Sequence, residues 1–212
     1  MLTVVMVAAG ISVLAAGVWA QSPSVAARDA LVSMLVWGAD LPVDLKAFPP
    51  EVRAELEKHL QRYRTFRSRR PKPTDPGAIQ MVYTAEVRYE GKLAAVSSDP
   101  KAPALAAEFV DNLRPCYEWE GYHECPELEA KFAAEYQQTH PGGPFGDYLP
   151  LLEADRWLSA ANAYDYEKDP EGAARCLRAF ERAIAIARRS KSPLFRMAAE
   201  RLAERGHAVA RD

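Results

Sequence analysis

The sequence predicts an all-α domain with about eight helices. Apolar residues recur with helical spacing along most of the chain, and proline and glycine interrupt that spacing at intervals. Two stretches of the chain also resemble each other, as repeats do. The 212 residues, of which 49% are hydrophobic and 26% charged, are enough to bury a core without metal ions.

The N-terminal segment predicts export. Residues 1–20 include no charged side chain, and the small residues Val18 and Ala20 stand at positions −3 and −1 before Gln21, as a signal peptidase prefers. No basic residue precedes the apolar run, which is also long enough for an uncleaved membrane anchor. We therefore expect a periplasmic or extracellular protein, with a signal peptide or N-terminal anchor over 1–20 and a single domain over 21–212.

Helices are predicted through the N-terminal half of that domain. One helix is expected over 25–37, and another begins at Pro50, where Val52 and Leu56 start an apolar stripe. The segment 79–98 carries two patterns, since its alternation would suit a hairpin while its other spacing suits a helix. Comparison with the second half favours a helix there.

The C-terminal half has stronger boundary signals. One helix starts at Pro126, and its apolar stripe is predicted to pass through Leu128, Phe132 and Tyr136. A largely buried helix covers 148–166. Asp169 is followed by a proline, which predicts an N-cap with proline at the first helical position. The last helix is predicted over 193–205, with Gly206 as the residue that ends it.

The two halves match each other. The run that starts at Pro50 aligns with the run that starts at Pro126 at an offset of 76 residues, and further matches follow at offsets of 69 to 71. This predicts a diverged duplication of one three-helix unit. The copies would span about 50–113 and 126–190, and a C-terminal helix over 193–206 would follow.

One helix of the second copy carries a spaced motif. Trp157, Ala161 and Tyr164 have the spacing W-x3-A-x2-Y. Upstream, the string FAAEYQQTHPGGPF at 132–145 ends a helix in a proline-rich turn. The motif resembles the first helix of a tetratricopeptide repeat, and the string resembles the end of the second helix in such repeats from bacterial envelope proteins.

The next helix extends this resemblance. Cys176, Phe180 and Ala183 are similar to the A-x3-F/Y-x2-A positions of the second tetratricopeptide helix. The turn before it is about three residues longer than usual, and the closing proline of the repeat is absent near Arg188. The resemblance covers about 126–190. It implies a tetratricopeptide-like α-solenoid, which is a right-handed array of antiparallel helix pairs, and a protein-interaction scaffold with no catalytic residues.

The apolar stripes also predict a shared core between the helices. We expect Trp157 and Phe180 to pack in the same inter-helix core, because their positions in the repeat face each other. The predicted core residues are Phe132, Tyr136, Trp157, Tyr164, Leu177, Phe180 and Ile184.

The run CYEWEGYHEC at 116–125 is the candidate functional site. In an exported protein, Cys116 and Cys125 are close enough to form a disulfide, with a metal site that includes His123 or two free thiols as alternatives. The spacing is not that of a structural zinc site, so no metal is predicted. Cys176 lies on an apolar stripe and is expected in the core.

The aromatic residues of this run predict binding or reinforcement. Tyr117, Trp119, Tyr122 and His123 would bind a partner if they are exposed together, and would only brace a disulfide loop if they are packed. The interspersed glutamates leave open a ligand-binding or hydrolase cleft with two carboxylates. No known catalytic motif is present, and no catalytic residue or cofactor is predicted.

The net charge and its distribution along the chain indicate which classes of partner the protein could bind. A net charge of −2 and a pI near 6.1 exclude a dedicated nucleic-acid-binding protein. Residues 111–170 hold 13 acidic and 4 basic side chains, while 171–212 hold 5 and 10. These faces, and a second basic block at 62–72, would be solvated or would pair within the fold. Alternatively, the basic edges would meet the acidic middle of a second copy, or their arginines would meet anionic lipid or cell-wall polymer. His59 and His207 are predicted to be exposed.

Together these patterns predict an exported helical-repeat scaffold that binds another envelope protein. The alternative is an envelope ligand-binding protein or hydrolase centred on 116–125. A structural module anchored to the membrane by residues 1–20 is the third hypothesis.

Overall fold

The computed structural model describes residues 23–37, 44–69, 90–113 and 121–209. Within these ranges the chain forms eight α-helices and no β-strand, which confirms the predicted all-α class. The helices are α1 (Val25–Trp37), α2 (Pro50–Arg69), α3 (Gly91–Val96), α4 (Ala102–Asp111), α5 (Glu124–Thr139), α6 (Leu149–Tyr166), α7 (Pro170–Ala187) and α8 (Pro193–Val209). A short 3-10 helix spans Leu45–Ala47.

Two predicted helix starts are confirmed. α2 begins at Pro50, where a proline costs no helical hydrogen bond. α7 begins after Asp169, whose carboxylate accepts a hydrogen bond from the backbone N–H of Gly172 at 3.0 Å. This bond satisfies one of the N–H groups that the first turn of a helix leaves without a partner.

Two other predictions fall partly or wholly on segments outside the described residues. The leader over 1–20 does so entirely. The predicted helix over 79–98 is described only from Glu90, and there the chain is helical as far as Val96. Among the helices that are described, none is both long enough and apolar enough to cross a bilayer.

Successive helices pack against one another in two groups. α2 contacts α3 and α3 contacts α4, and in the same order α5 contacts α6 and α6 contacts α7. Phe109 of α4 joins the groups, because its ring centre lies 4.8 Å from that of Phe132 and 5.2 Å from that of Tyr136, both on α5. One hydrophobic core therefore runs through both groups.

α8 contacts both groups, since it packs against α2 of the first and against α6 and α7 of the second. Arg201 of α8 donates two hydrogen bonds of 2.8 Å to the carboxylate of Asp29 on α1. Glu55 of α2 accepts a hydrogen bond of 3.3 Å from the backbone N–H of Leu194 and another from the Ser192 hydroxyl. A carboxylate at this helix N-terminus is stabilised by the helix dipole and by the N–H groups without intrahelical partners.

The interface of α1, α5 and α6 buries a group of charges. The Arg156 guanidinium donates to Asp155 Oδ2 at 3.0 Å through Nε and to Glu129 Oε2 at 3.4 Å through Nη1. It also lies over the Trp37 ring, with 3.9 Å between the guanidinium carbon and the ring centre. All three charged side chains are almost completely buried, so each depends on the others for compensation.

Three expectations for individual residues are wrong. His59 is buried in α2 rather than exposed, and Gly206 lies inside α8, which continues to Val209. Leu128 is 47% exposed, because the buried face of α5 passes through Glu129 and Ala130 instead. His207 is exposed, as predicted.

Candidate functional site

The described part of the candidate run is its C-terminal end, at the start of α5. Tyr122 and His123 precede the helix, and Cys125 lies in its first turn. Cys116, Tyr117 and Trp119 lie outside the described residues. The Cys116–Cys125 disulfide and the role of the first two aromatic side chains therefore remain predictions.

His123 is fixed to the C-terminal end of α6. Its backbone N–H donates to Glu167 Oε1 at 3.1 Å, and its Nδ1 lies 2.7 Å from Glu167 Oε2. The imidazole stacks on the ring of Tyr164, with 3.9 Å between ring centres and 21° between planes. One side-chain hydrogen bond and one stacked face restrict the imidazole, although it is not fully buried.

Tyr164 extends the same cluster toward α7. Its hydroxyl donates to Glu127 Oε2 at 2.8 Å and accepts from Arg175 Nη2 at 2.8 Å. Glu127 also pairs with Lys131 Nζ at 2.8 Å. We call these residues, with His123 and Glu167, the His123–Tyr164 cluster.

The electrostatics of the cluster favour a neutral tyrosine and a charged Glu127. Burial and the hydrogen-bonded carboxylate of Glu127 raise the pKa of Tyr164 to about 12. Burial acts to raise the pKa of Glu127, but hydrogen bonds from Lys131 and Tyr164, together with the charges of Lys131 and Arg175, hold it below its usual value. Tyr164 therefore stays neutral and Glu127 stays charged through the neutral pH range.

Gly172 explains why the tyrosine can lie so close to α7. A Cβ atom at this position would lie 2.4 Å from Cδ1 of Tyr164, which is far inside van der Waals contact. Helical periodicity does not predict this close contact with Tyr164. The signal in the sequence is a glycine two residues after the proline that starts the predicted helix. Sequence reasoning also missed Glu127, Glu167 and Arg175, which join the site only through helix packing.

Three large exposed side chains adjoin the cluster along the chain. Tyr122 is 54%, Leu128 47% and Tyr166 79% exposed. Each is the chain neighbour of a cluster member, since they adjoin His123, Glu127 and Glu167 respectively. All three therefore lie near the start of α5 or the end of α6, and we refer to them as the tyrosine surface.

A wide groove lies elsewhere, between α2, α3 and the start of α4. Its volume is about 920 Å³, and Phe66, Pro100 and Pro103 form part of its wall. Arg62 ties its two sides together, because Nε donates to the carbonyl oxygen of Ala95 at 2.5 Å and Nη2 to that of Val96 at 3.3 Å. These carbonyls end α3 and would otherwise lack helical partners.

A smaller cavity of about 160 Å³ lies where α5 turns into α6. Tyr136 and His140 stack in its wall, with 3.9 Å between ring centres. Burial, and to a smaller extent the charge of Glu108, raises the pKa of the Tyr136 phenol.

The predicted core residues lie within or against the helix interfaces. Tyr136, Tyr164, Phe180 and Ile184 are buried, whereas Phe132, Trp157 and Leu177 are partly buried and pack on buried neighbours. Trp157 packs against the same core to which Phe180 belongs. Cys176 is buried beside Tyr164 and the small residues Ala160 and Ala161.

The described site combines charged, hydrogen-bonded side chains with exposed tyrosines. His123 and Glu167 form a hydrogen-bonded imidazole–carboxylate pair. Over the four described ranges, no three side chains from His, Cys, Asp and Glu come together in a way that could hold a metal ion. Comparisons with protein-family models, curated proteins and solved structures found no match.

Proposed function

We propose that the protein is an exported helical-repeat scaffold, similar to tetratricopeptide proteins, that binds another protein of the cell envelope. The proposal rests on the tyrosine surface, because Tyr122, Leu128 and Tyr166 are exposed and adjoin members of the His123–Tyr164 cluster along the chain. Tyrosine is enriched at protein interfaces because it offers a large apolar face and a polar tip with few rotatable bonds.

The rigidity of the underlying cluster supports binding at this surface. His123 and Glu167 are each the chain neighbour of an exposed tyrosine. Their 2.7 Å contact joins the start of α5 to the end of α6. A surface that is already ordered loses less conformational entropy when a partner docks. The arrangement therefore suits recognition better than three scattered apolar residues would.

Photo-crosslinking tests this function in the intact chain, expressed with its leader. A photoreactive phenylalanine analogue replaces Tyr122 or, separately, Tyr166, and the same analogue at exposed Glu200 of α8 is the control. We expect both tyrosine positions to give a crosslinked product with the same partner on mass spectrometry, and Glu200 to give none.

A charge substitution then tests whether the surface itself binds. Leu128→Asp should abolish the crosslinks from both positions, because it places a charge within an apolar contact. Ile186→Asp is the matched control, since Ile186 is 54% exposed on α7, away from the three residues. Crosslinks that survive Leu128→Asp, or that appear equally at Glu200, would contradict the proposal.

A further inference from the structure

The outer face of the C-terminal half of α7 carries a row of cations. Arg178, Arg182 and Ile186 follow one another at four-residue steps, which places them along one side of the helix, and all three are exposed. The opposite side of α7 packs against α6 and α8. The turn that follows the helix supplies three further exposed cations, which are Arg188, Arg189 and Lys191. We call these five basic residues, together with Ile186, the arginine face.

The cations of the arginine face are available for binding. Among the residues that the structure describes, none of the five basic side chains has an ion pair or a side-chain hydrogen bond. Arg201 of α8 shows the contrast, because it donates two hydrogen bonds of 2.8 Å to Asp29. A guanidinium group without such a partner keeps its N–H donors free for an anion.

The carboxylates near the arginine face are fewer, and each is partly engaged. Glu181 of α7 lies 3.8 Å from Nδ1 of His207. Asp147, before α6, accepts a hydrogen bond of 3.0 Å from the Ser190 hydroxyl. Glu153 of α6, on which the charge of Arg182 acts, is only half-exposed. Five cations therefore outnumber these three carboxylates, and the face has an excess of positive charge.

Ile186 adds an apolar group to this basic surface. It is 54% exposed and lies between Arg182 and the basic residues of the turn. Segments that lie on membranes combine apolar side chains, which enter the boundary between headgroups and acyl chains, with cations that meet the headgroups. A soluble acidic polymer would attract the cations but would offer the isoleucine no hydrocarbon. The combination therefore favours a bilayer as the partner.

We propose that the arginine face binds the surface of an anionic phospholipid membrane. The arginines bind the lipid phosphates, which a guanidinium can contact through two N–H donors at once, and Ile186 enters the headgroup region. The row on α7 and the turn after it are neighbours along one helix axis, so a planar surface can meet both. The site lies at the opposite end of the α6–α7 pair from Tyr166 and does not depend on the proposed function.

A fluorescent amino acid at position 186 tests this site in the full chain. A residue whose emission moves to shorter wavelength in an apolar environment replaces Ile186, and vesicles of phosphatidylglycerol or of phosphatidylcholine are added. We expect a shift with the anionic vesicles alone, and its reversal by about 0.5 M NaCl, which screens the charges. Residues 1–20 carry no charge, so membrane contact through them would not distinguish the two lipids. The same fluorescent residue in place of Tyr166 is the positional control and should show no shift.

Charge reversal then tests the cations. Arg182→Glu/Arg189→Glu in the labelled chain should raise the lipid concentration for a half-maximal shift at least about tenfold, because each basic side chain near an anionic surface contributes about a fivefold gain in affinity. Lys46→Glu/Lys101→Glu is the matched control, since it changes the net charge equally at exposed positions before α2 and α4 and should have a much smaller effect. Circular dichroism shows that each variant stays helical.

The proposal is overturned if the emission does not shift with phosphatidylglycerol vesicles, or if it shifts equally with phosphatidylcholine. It is also overturned if both double variants weaken the shift alike, because net charge and not the arginine face would then account for binding. A shift with soluble polyglutamate but with neither kind of vesicle would assign the face to an acidic polymer instead of a membrane.

Discussion

Gly206 is the residue whose smallness the helix packing most clearly requires. A Cβ atom there would lie 2.2 Å from Cε1 of Phe180, which is itself completely buried in α7. Spacing predicts a helix end at this glycine, since glycine commonly follows the last turn of a helix. The packing of α7 against α8 gives the residue its actual role, and this contact cannot be recognised from one segment alone.

We expect Gly206→Ala to lower the free energy of unfolding by about 1–3 kcal/mol, the usual cost of an overpacked core. The sign is informative, because alanine is the better helix former by about 1 kcal/mol and would stabilise an exposed site. Urea denaturation measures the change. Gly146→Ala, where the nearest atom to a Cβ is 3.6 Å away, is the control and should have a smaller effect. A more stable Gly206→Ala variant would show that α8 stands further from Phe180.

His59 makes folding depend on pH. Burial, with smaller effects from the charges of Arg62 and Lys92, lowers the pKa of His59 to about 3. The unfolded chain binds this proton near pH 6.5, so stability is complete above that pH and is lost as the pH falls toward 3. The expected slope over that window is about 1.4 kcal/mol per pH unit for one proton.

The His59 effect is measured by urea denaturation at several pH values from 7 to 5. His59→Leu should remove that part of the slope, while His207→Leu, at an exposed position, should not. Equal slopes for the native chain and His59→Leu would contradict a neutral buried imidazole. Position 59 is three residues after Leu56 and therefore on the apolar stripe of α2, so the polar residue type, and not the spacing, made burial hard to predict.

At the scale of elements, the buried charges of Arg156, Glu129 and Asp155 decide how α5 and α6 meet. Sequence patterns treat charged residues as exposed, and the apolar stripe of α5 was accordingly predicted to pass through Leu128. Glu129 is buried instead because Arg156 lies opposite it, 27 positions along the chain. Which face of a helix is buried can thus depend on a residue far away in the sequence, which a local pattern does not include.

Arg156→Leu should reduce the free energy of unfolding by about 3–5 kcal/mol, because it leaves two carboxylates buried without their shared cation. Arg178→Leu, on the exposed face of α7, is the control and should change stability by less than about 0.5 kcal/mol. Thermal denaturation followed by circular dichroism measures both variants. A small loss for Arg156→Leu would indicate that water reaches these carboxylates in the folded protein.

At the scale of the whole molecule, the helical class and several boundaries were predictable because proline, aspartate caps and helical periodicity are local signals. The candidate site was predictable only in part. Tyr122 and His123 follow from the aromatic run, but Tyr164 and Glu167 are more than 40 residues away and reach His123 through the packing of α5 on α6. Long-range partners of this kind need the tertiary structure.

The division between leader and domain gives the last prediction. α1 begins at Val25, and Leu31, Val32 and Leu35 within it are fully buried, so α1 belongs to the core. The predicted cleavage after Ala20 lies before α1 and removes none of these three residues. We expect intact-mass measurement of protein from the exported fraction to show an N-terminus at Gln21, with the same unfolding temperature as the full chain.

Ala20→Arg should block this processing, because signal peptidase requires a small residue at the cleavage position. Ala20→Ser is the matched control and should still be cleaved. Under both substitutions the domain should fold equally well, since α1 and its contacts are unchanged. Recovery of an exported native chain that still carries residues 1–20 would instead identify the segment as an anchor, and the hypothesis of a membrane-attached module would then replace that of a free envelope protein.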